Sequence, residues 1–82
     1  MINIYVGNLP YNVTDTELEE MFAAHGTVGQ AKVIIDRASG RSRGFGFVEM
    51  PDDDEGRAAI EAMNGTDMGG RNLTVNEARS KG

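Results

Sequence analysis

Arg43-Gly44-Phe45-Gly46-Phe47-Val48-Glu49-Met50 is the stretch that decides the fold. Its aromatics and glycines alternate, and alternation in a strand sends residues two apart to the same face. Arg43, Phe45, Phe47 and Glu49 then share one face, and Gly46, Val48 and Met50 share the other. The second set has the character of a core. The first set is unusual for an exposed face, because two phenylalanines gain nothing from contact with water. Glycines beside the rings remove side-chain bulk and let another chain come close. A flat aromatic pair next to an arginine suits stacked bases and a phosphate. The competing reading is a strand buried on both faces, with the phenylalanines as core.

The octamer resembles the signature K/R-G-F/Y-G/A-F-V-x-F/Y of the RNA recognition motif family. The one departure is Met50, where the family prefers an aromatic. Position 50 falls on the core side, so the expected consequence is altered packing and not an altered binding face. Upstream, Ile4-Tyr5-Val6-Gly7-Asn8-Leu9 is similar to the hexamer that family members carry on their first strand. Two such motifs in the right order are far more specific than either alone.

Size and composition set the bounds. The chain has 82 residues, enough for one small core of modest stability. It has no cysteine, which removes disulfides and thiolate metal sites. No apolar run has the length of a membrane span, and the N-terminus lacks a basic region followed by a long apolar segment, so a soluble, intracellular protein of the cytoplasm is expected. The net charge of −5 argues against a nucleic-acid ligand when taken as a total. Its distribution argues differently. Asp15, Glu17, Glu19 and Glu20 lie together, as do Asp52, Asp53, Asp54, Glu55 and Glu61. Lys32, Arg37, Arg41 and Arg43 form a separate group, and Arg71, Arg79 and Lys81 follow towards the end. Acidic helices on one side and cations around a sheet on the other would give a local field that attracts an anion despite the total.

Along the chain, residues 2–7 alternate as a half-buried strand with Tyr5 on the outer face. Thr14-Asp15-Thr16-Glu17 has the form of a capping box, and Leu18, Met21 and Phe22 follow at helical spacing. Gly26 is expected to stop that helix. A strand is predicted over 30–36, a polar arginine-bearing loop over 37–42, and a third strand ending at Pro51. The acids after Pro51 suit the start of a second helix and lack the spacing of a calcium loop. Its apolar stripe is Ala58, Ala59, Ile60 and Met63, and Asn64-Gly65 stops it. Met68-Gly69-Gly70 is turn-rich, and a last strand is predicted over 72–77 with Asn72, Thr74 and Asn76 outward.

The order strand, helix, strand, strand, helix, strand is that of an α+β, ferredoxin-like βαββαβ sandwich: a four-stranded antiparallel sheet with two helices on one face. One domain over 1–79 and a short mobile tail over 80–82 are expected. The family resemblance places Ala31 and Val33 inward and Lys32 outward. It also implies single-stranded RNA as partner, bound on the open sheet face by Tyr5, Phe45 and Phe47. Arg43 and Arg41 are candidates for phosphates. Asn3, Lys32, Asn72, Asn76 and Arg79 border the same face as candidates for base edges and backbone. No nucleophile–base pair, metal-ligand cluster or phosphate loop is visible, so no enzyme, metal or cofactor is expected, and the chain is expected to act as a monomer. A protein-binding relative of the family and a binder of single-stranded DNA are the alternatives.

Overall fold

A computed structural model describes residues 1–78; the side chain of Ser42 and residues 79–82, including Arg79 and the proposed tail, lie outside the described residues. The elements are β1 (Ile2–Gly7), α1 (Asp15–Ala23), β2 (Gln30–Ile35), β3 (Ser42–Met50), α2 (Asp53–Met63), β4 (Asp67–Met68), β5 (Arg71–Asn72) and β6 (Thr74–Ala78). Four strands form an antiparallel sheet in the order β2-β3-β1-β6. The two strands that carry the aromatic motifs are therefore central.

Alternation works as expected on the inner face. Ile2, Ile4 and Val6 of β1, Val33 of β2, Val48 and Met50 of β3, and Val75 of β6 are buried. Leu18 and Phe22 from α1, and Ala59 and Met63 from α2, close over them in one apolar cluster. Met50 is fully buried, so the departure from the family signature is a matter of core packing. Gly56 is buried where α2 packs onto β1, and a side chain there would collide with Cγ2 of Ile2.

Helix starts follow the sequence. Thr14 caps α1, with the Glu17 amide donating to Thr14 Oγ1 at 3.2 Å and the Thr14 amide donating back to Glu17 Oε1 at 3.3 Å. Asp52 caps α2, its Oδ1 accepting from the amides of Asp54 and Glu55 at 2.9 and 3.1 Å. The C-terminal expectation for α1 fails. The helix ends at Ala23 with Ala24 as a right-handed cap, and Gly26 is not left-handed. Glycine is required at 26 for a different reason: a Cβ would sit 2.6 Å from Glu55 Oε1, which accepts from the Thr27 amide at 3.0 Å. In α2, Ala58 is exposed and Gly56 takes its place on the buried side.

The end of the chain also differs from expectation. Asp67–Met68 and Arg71–Asn72 pair as a separate two-stranded ribbon. Gly69 and Gly70 turn it with φ of +59° and +84°, the left-handed pair that a two-residue hairpin needs. Asn72 consequently sits in the ribbon and not in the last sheet strand, which begins at Thr74.

Candidate nucleic-acid interface

The outer face of the sheet is laid out in cross-strand rows. The middle row reads Lys32, Phe47, Tyr5, Asn76, a cation, two rings and an amide in register across all four strands. On one side lies the row Gln30, Glu49, Asn3, Ala78. On the other lie Phe45, Gly7 and Thr74.

Three rings meet at the centre. Tyr5 and Phe45 have centroids 5.9 Å apart and planes only 32° apart. Phe47 stands edge-on to both, 5.9 Å from Tyr5 at 64° and 6.1 Å from Phe45 at 88°. The local sequence explains this geometry. Gly7 offers no side chain, and a Cβ there would lie 2.5 to 2.9 Å from the Tyr5 ring and hydroxyl. The Tyr5 ring therefore leans along its own strand over Gly7, towards Phe45 opposite. Gly46 has a backbone reason: its Cβ would be 2.5 Å from the Lys32 carbonyl oxygen and 3.1 Å from Val33 Cα. Phe47 is 39 % exposed, a large apolar ring held in water on a strand whose other face is core. The alternative of a strand buried on both faces is excluded.

Around the rings, Asn3, Gln30, Lys32, Ile34, Phe47, Glu49 and Ala78 line a shallow groove of about 330 Å³. Gln30, Ile34 and Glu49 were not among the residues the sequence pointed to for binding. The signal was present for Glu49, which alternation puts on the outer face, but its charge suits a base amino group and not a phosphate.

Arg43 departs from the simple alternation argument. Pairing between β2 and β3 runs Val33 to Gly46 and then Ile35 to Ser42, so three residues of β3 stand opposite the single Ile34. Gly44, with φ of +82°, lies in this bulge. Arg43 is exposed and, with Arg41, lines a second groove beside Tyr11, Asp36, Ser39 and Gly40 instead of the groove at Phe47. Asn3 and Asn76 are on the open face, and Lys32 is exposed at its edge. Asn72 is exposed in the ribbon, where its backbone oxygen accepts from Asn8 Nδ2 at 2.8 Å. Among the described residues no group of His, Cys, Asp and Glu is placed to hold a metal ion, and no helix is long and apolar enough to cross a membrane.

A four-stranded antiparallel sheet with helices behind it and solvent-exposed rings on its two central strands is the architecture of a module that stacks nucleobases. The RNA recognition motif family model matches residues 4–74, and the chain belongs to that family. RbpB of Nostoc sp. is 50 % identical over 80 residues, covering 98 % of this chain and 78 % of that protein. The chain spans about half the length of glycine-rich RNA-binding proteins of barley and carrot that it also matches. Among solved structures, the crystal structure of RNA Binding Protein PG1 superimposes with a TM-score of 0.94 at 48 % identity, covering 100 % of this chain and 99 % of that one. The Rna15 RRM with bound RNA (GU) superimposes with a TM-score of 0.86 at 28 % identity, covering 95 % and 83 %. The family is one of RNA-binding modules and not of enzymes.

Proposed function

We propose that this domain binds a short single-stranded RNA on its open sheet face. Tyr5 and Phe45 each stack one base, and Phe47, edge-on between them, packs against the sugars. Lys32, Asn3 and Asn76 hydrogen-bond base edges, Arg43 and Arg41 meet phosphates, Asn72 contributes from the adjoining ribbon, and Arg79, outside the described residues, is a further contact. The observation that carries this reading is the ring cluster: two platforms 5.9 Å apart, tilted 32° to one another, and a third ring 39 % exposed, on the face away from the helices. Stacking contributes about 1–3 kcal/mol per base. Two stacks and a few ion pairs, less ordering costs, correspond to a dissociation constant on the order of micromolar. The reading includes a monomer acting in the cytoplasm.

NMR titration with randomised short RNAs tests it. Amide shifts should change at 3–7, 30–34, 43–49 and 74–78, and a matching DNA pool measures the preference for ribose. Changes confined to α1 and α2 would overturn the assignment of the face.

A further inference from the structure

One exposed ring lies outside the cluster on the sheet. Tyr11, in the segment joining β1 to α1, is 63 % exposed. It is nevertheless held in place. A Cβ at Gly44 would lie 3.3 Å from Tyr11 Cε1, so the bulge glycine is what lets the ring approach the backbone of β3. The Leu9 amide donates to the Gly44 carbonyl at 2.8 Å, which ties the two segments together. The Arg71 guanidinium lies over the ring, 4.9 Å from its centroid. Arg71 in turn donates to Asn8 Oδ1 at 3.3 Å, and Asn8 Nδ2 donates to the Asn72 carbonyl at 2.8 Å.

Beside the ring is the groove lined by Tyr11, Asp36, Ser39, Gly40, Arg41 and Arg43, about 780 Å³ in volume. Its one acid is engaged by the turn: Asp36 Oδ1 accepts from the Ala38 amide at 2.8 Å, and the Asp36 carbonyl accepts from Gly40 at 2.7 Å. The cations Arg41 and Arg43 face no such partner among the ion pairs of the described residues. The groove begins where the sheet platform ends, since only Gly44 separates Arg43 from Phe45. A ring anchored at its edge, open over most of its area and flanked by arginines has the chemistry of a stacking site for a charged-backbone ligand.

We infer that Tyr11 is a further stacking platform, taking one more nucleotide of the bound RNA beyond those on Tyr5 and Phe45, with Arg41 and Arg43 on its phosphates. The inference rests on the RNA-binding reading above. Its consequence is that affinity grows with RNA length in a way that depends on Tyr11.

The test compares randomised hexanucleotides with randomised dinucleotides, which are long enough only for the two sheet platforms. Tyr11→Ala should weaken hexanucleotide binding about 5- to 150-fold, the stack of one base, and leave dinucleotide binding unchanged. Tyr11→Phe should retain the full affinity, and Phe45→Ala should weaken both lengths. The chain has no tryptophan, so Tyr11→Trp gives a single reporter whose fluorescence the hexanucleotide should quench and the dinucleotide should not. If Phe45→Ala weakens binding while Tyr11→Ala changes neither length and Tyr11→Trp stays unquenched, this inference alone falls. Equal losses on both lengths in Tyr11→Ala would also overturn it, by showing that Tyr11 acts through the sheet. If the unsubstituted domain binds neither RNA, the reading of the sheet face falls and the role of Tyr11 falls with it.

Discussion

Phe45 and Val48 are three positions apart and face opposite ways. Phe45 is half-buried on the open face, and Val48 is 1 % exposed in the core. Phe45→Ala should cost RNA affinity, about 1–3 kcal/mol for one stack, with little loss of stability. Val48→Ala should leave the platforms in place but create a cavity costing about 2 kcal/mol, which in a domain of this size lowers Tm by roughly 8–16 °C. Thermal unfolding and RNA titration of both variants check this; a melted Phe45→Ala beside an unaffected Val48→Ala would mean that β3 faces the other way. Gly46 makes a sharper demand. Its missing Cβ would press on the Lys32 carbonyl and the Val33 backbone, neither of which yields as a side-chain end does. Gly46→Ala should therefore destabilise by about 1–3 kcal/mol through overpacking, more than Phe45→Ala, in the same melting experiment.

The sheet edges are managed by the elements next to them. β2 and β6 are the edge strands, and edge amides invite pairing with another chain. The Val33 amide of β2 donates to Asp15 Oδ1 of α1 at 2.7 Å, and the Val75 amide of β6 donates to Asn64 Oδ1, just after α2, at 3.1 Å. Each helix terminus thus satisfies an amide of the strand it packs against. Asp15→Ala should leave the Val33 amide without its acceptor and cost about 1–3 kcal/mol. Hydrogen exchange at Val33 should accelerate in that variant relative to Val48; unchanged exchange would show that the sheet itself protects the amide. The Asp53 carboxylate at the start of α2 is held below its usual range by the terminal ammonium of Met1, 2.8 Å away. Both groups are about half exposed, so this pair is a surface feature of little weight in the stability of α2.

For the whole molecule, binding an anion with a net charge of −5 depends on where the charges lie. The acids of α1 and α2 are on the helix side, while Lys32, Arg41 and Arg43 are exposed around the sheet and its adjoining loop. With three or four phosphate contacts, log K should fall against log salt with a slope of about −2 to −3, or roughly 20- to 50-fold between about 50 and 200 mM salt. Arg43→Ala should flatten that slope by about 0.7, and Arg57→Ala, on exposed α2, should leave it unchanged. Titrations at several salt concentrations decide this. Equal changes from the two arginines would mean that total charge governs binding and that Arg43 makes no local contact.

Period-two alternation made the two central strands, the core residues Ile2, Ile4, Val6, Val48 and Met50, and the outward rings Tyr5, Phe45 and Phe47 legible from sequence, because alternation is a local property of an extended chain. Capping chemistry did the same for Thr14, whose side chain bonds the amide three residues away, and the acids after Pro51 marked the start of α2, although the cap that Asp52 forms there was seen only in the fold. What remained hidden depends on contacts distant in sequence. Gly26 is dictated by Glu55, Gly56 by Ile2, and the place of Asn72 by its pairing with Asp67. The bulge that takes Arg43 away from the Phe47 groove exists only in the pairing of β2 with β3. Tyr11 likewise gains its setting from Gly44 and Arg71, 33 and 60 positions further on, which only the folded chain brings beside it.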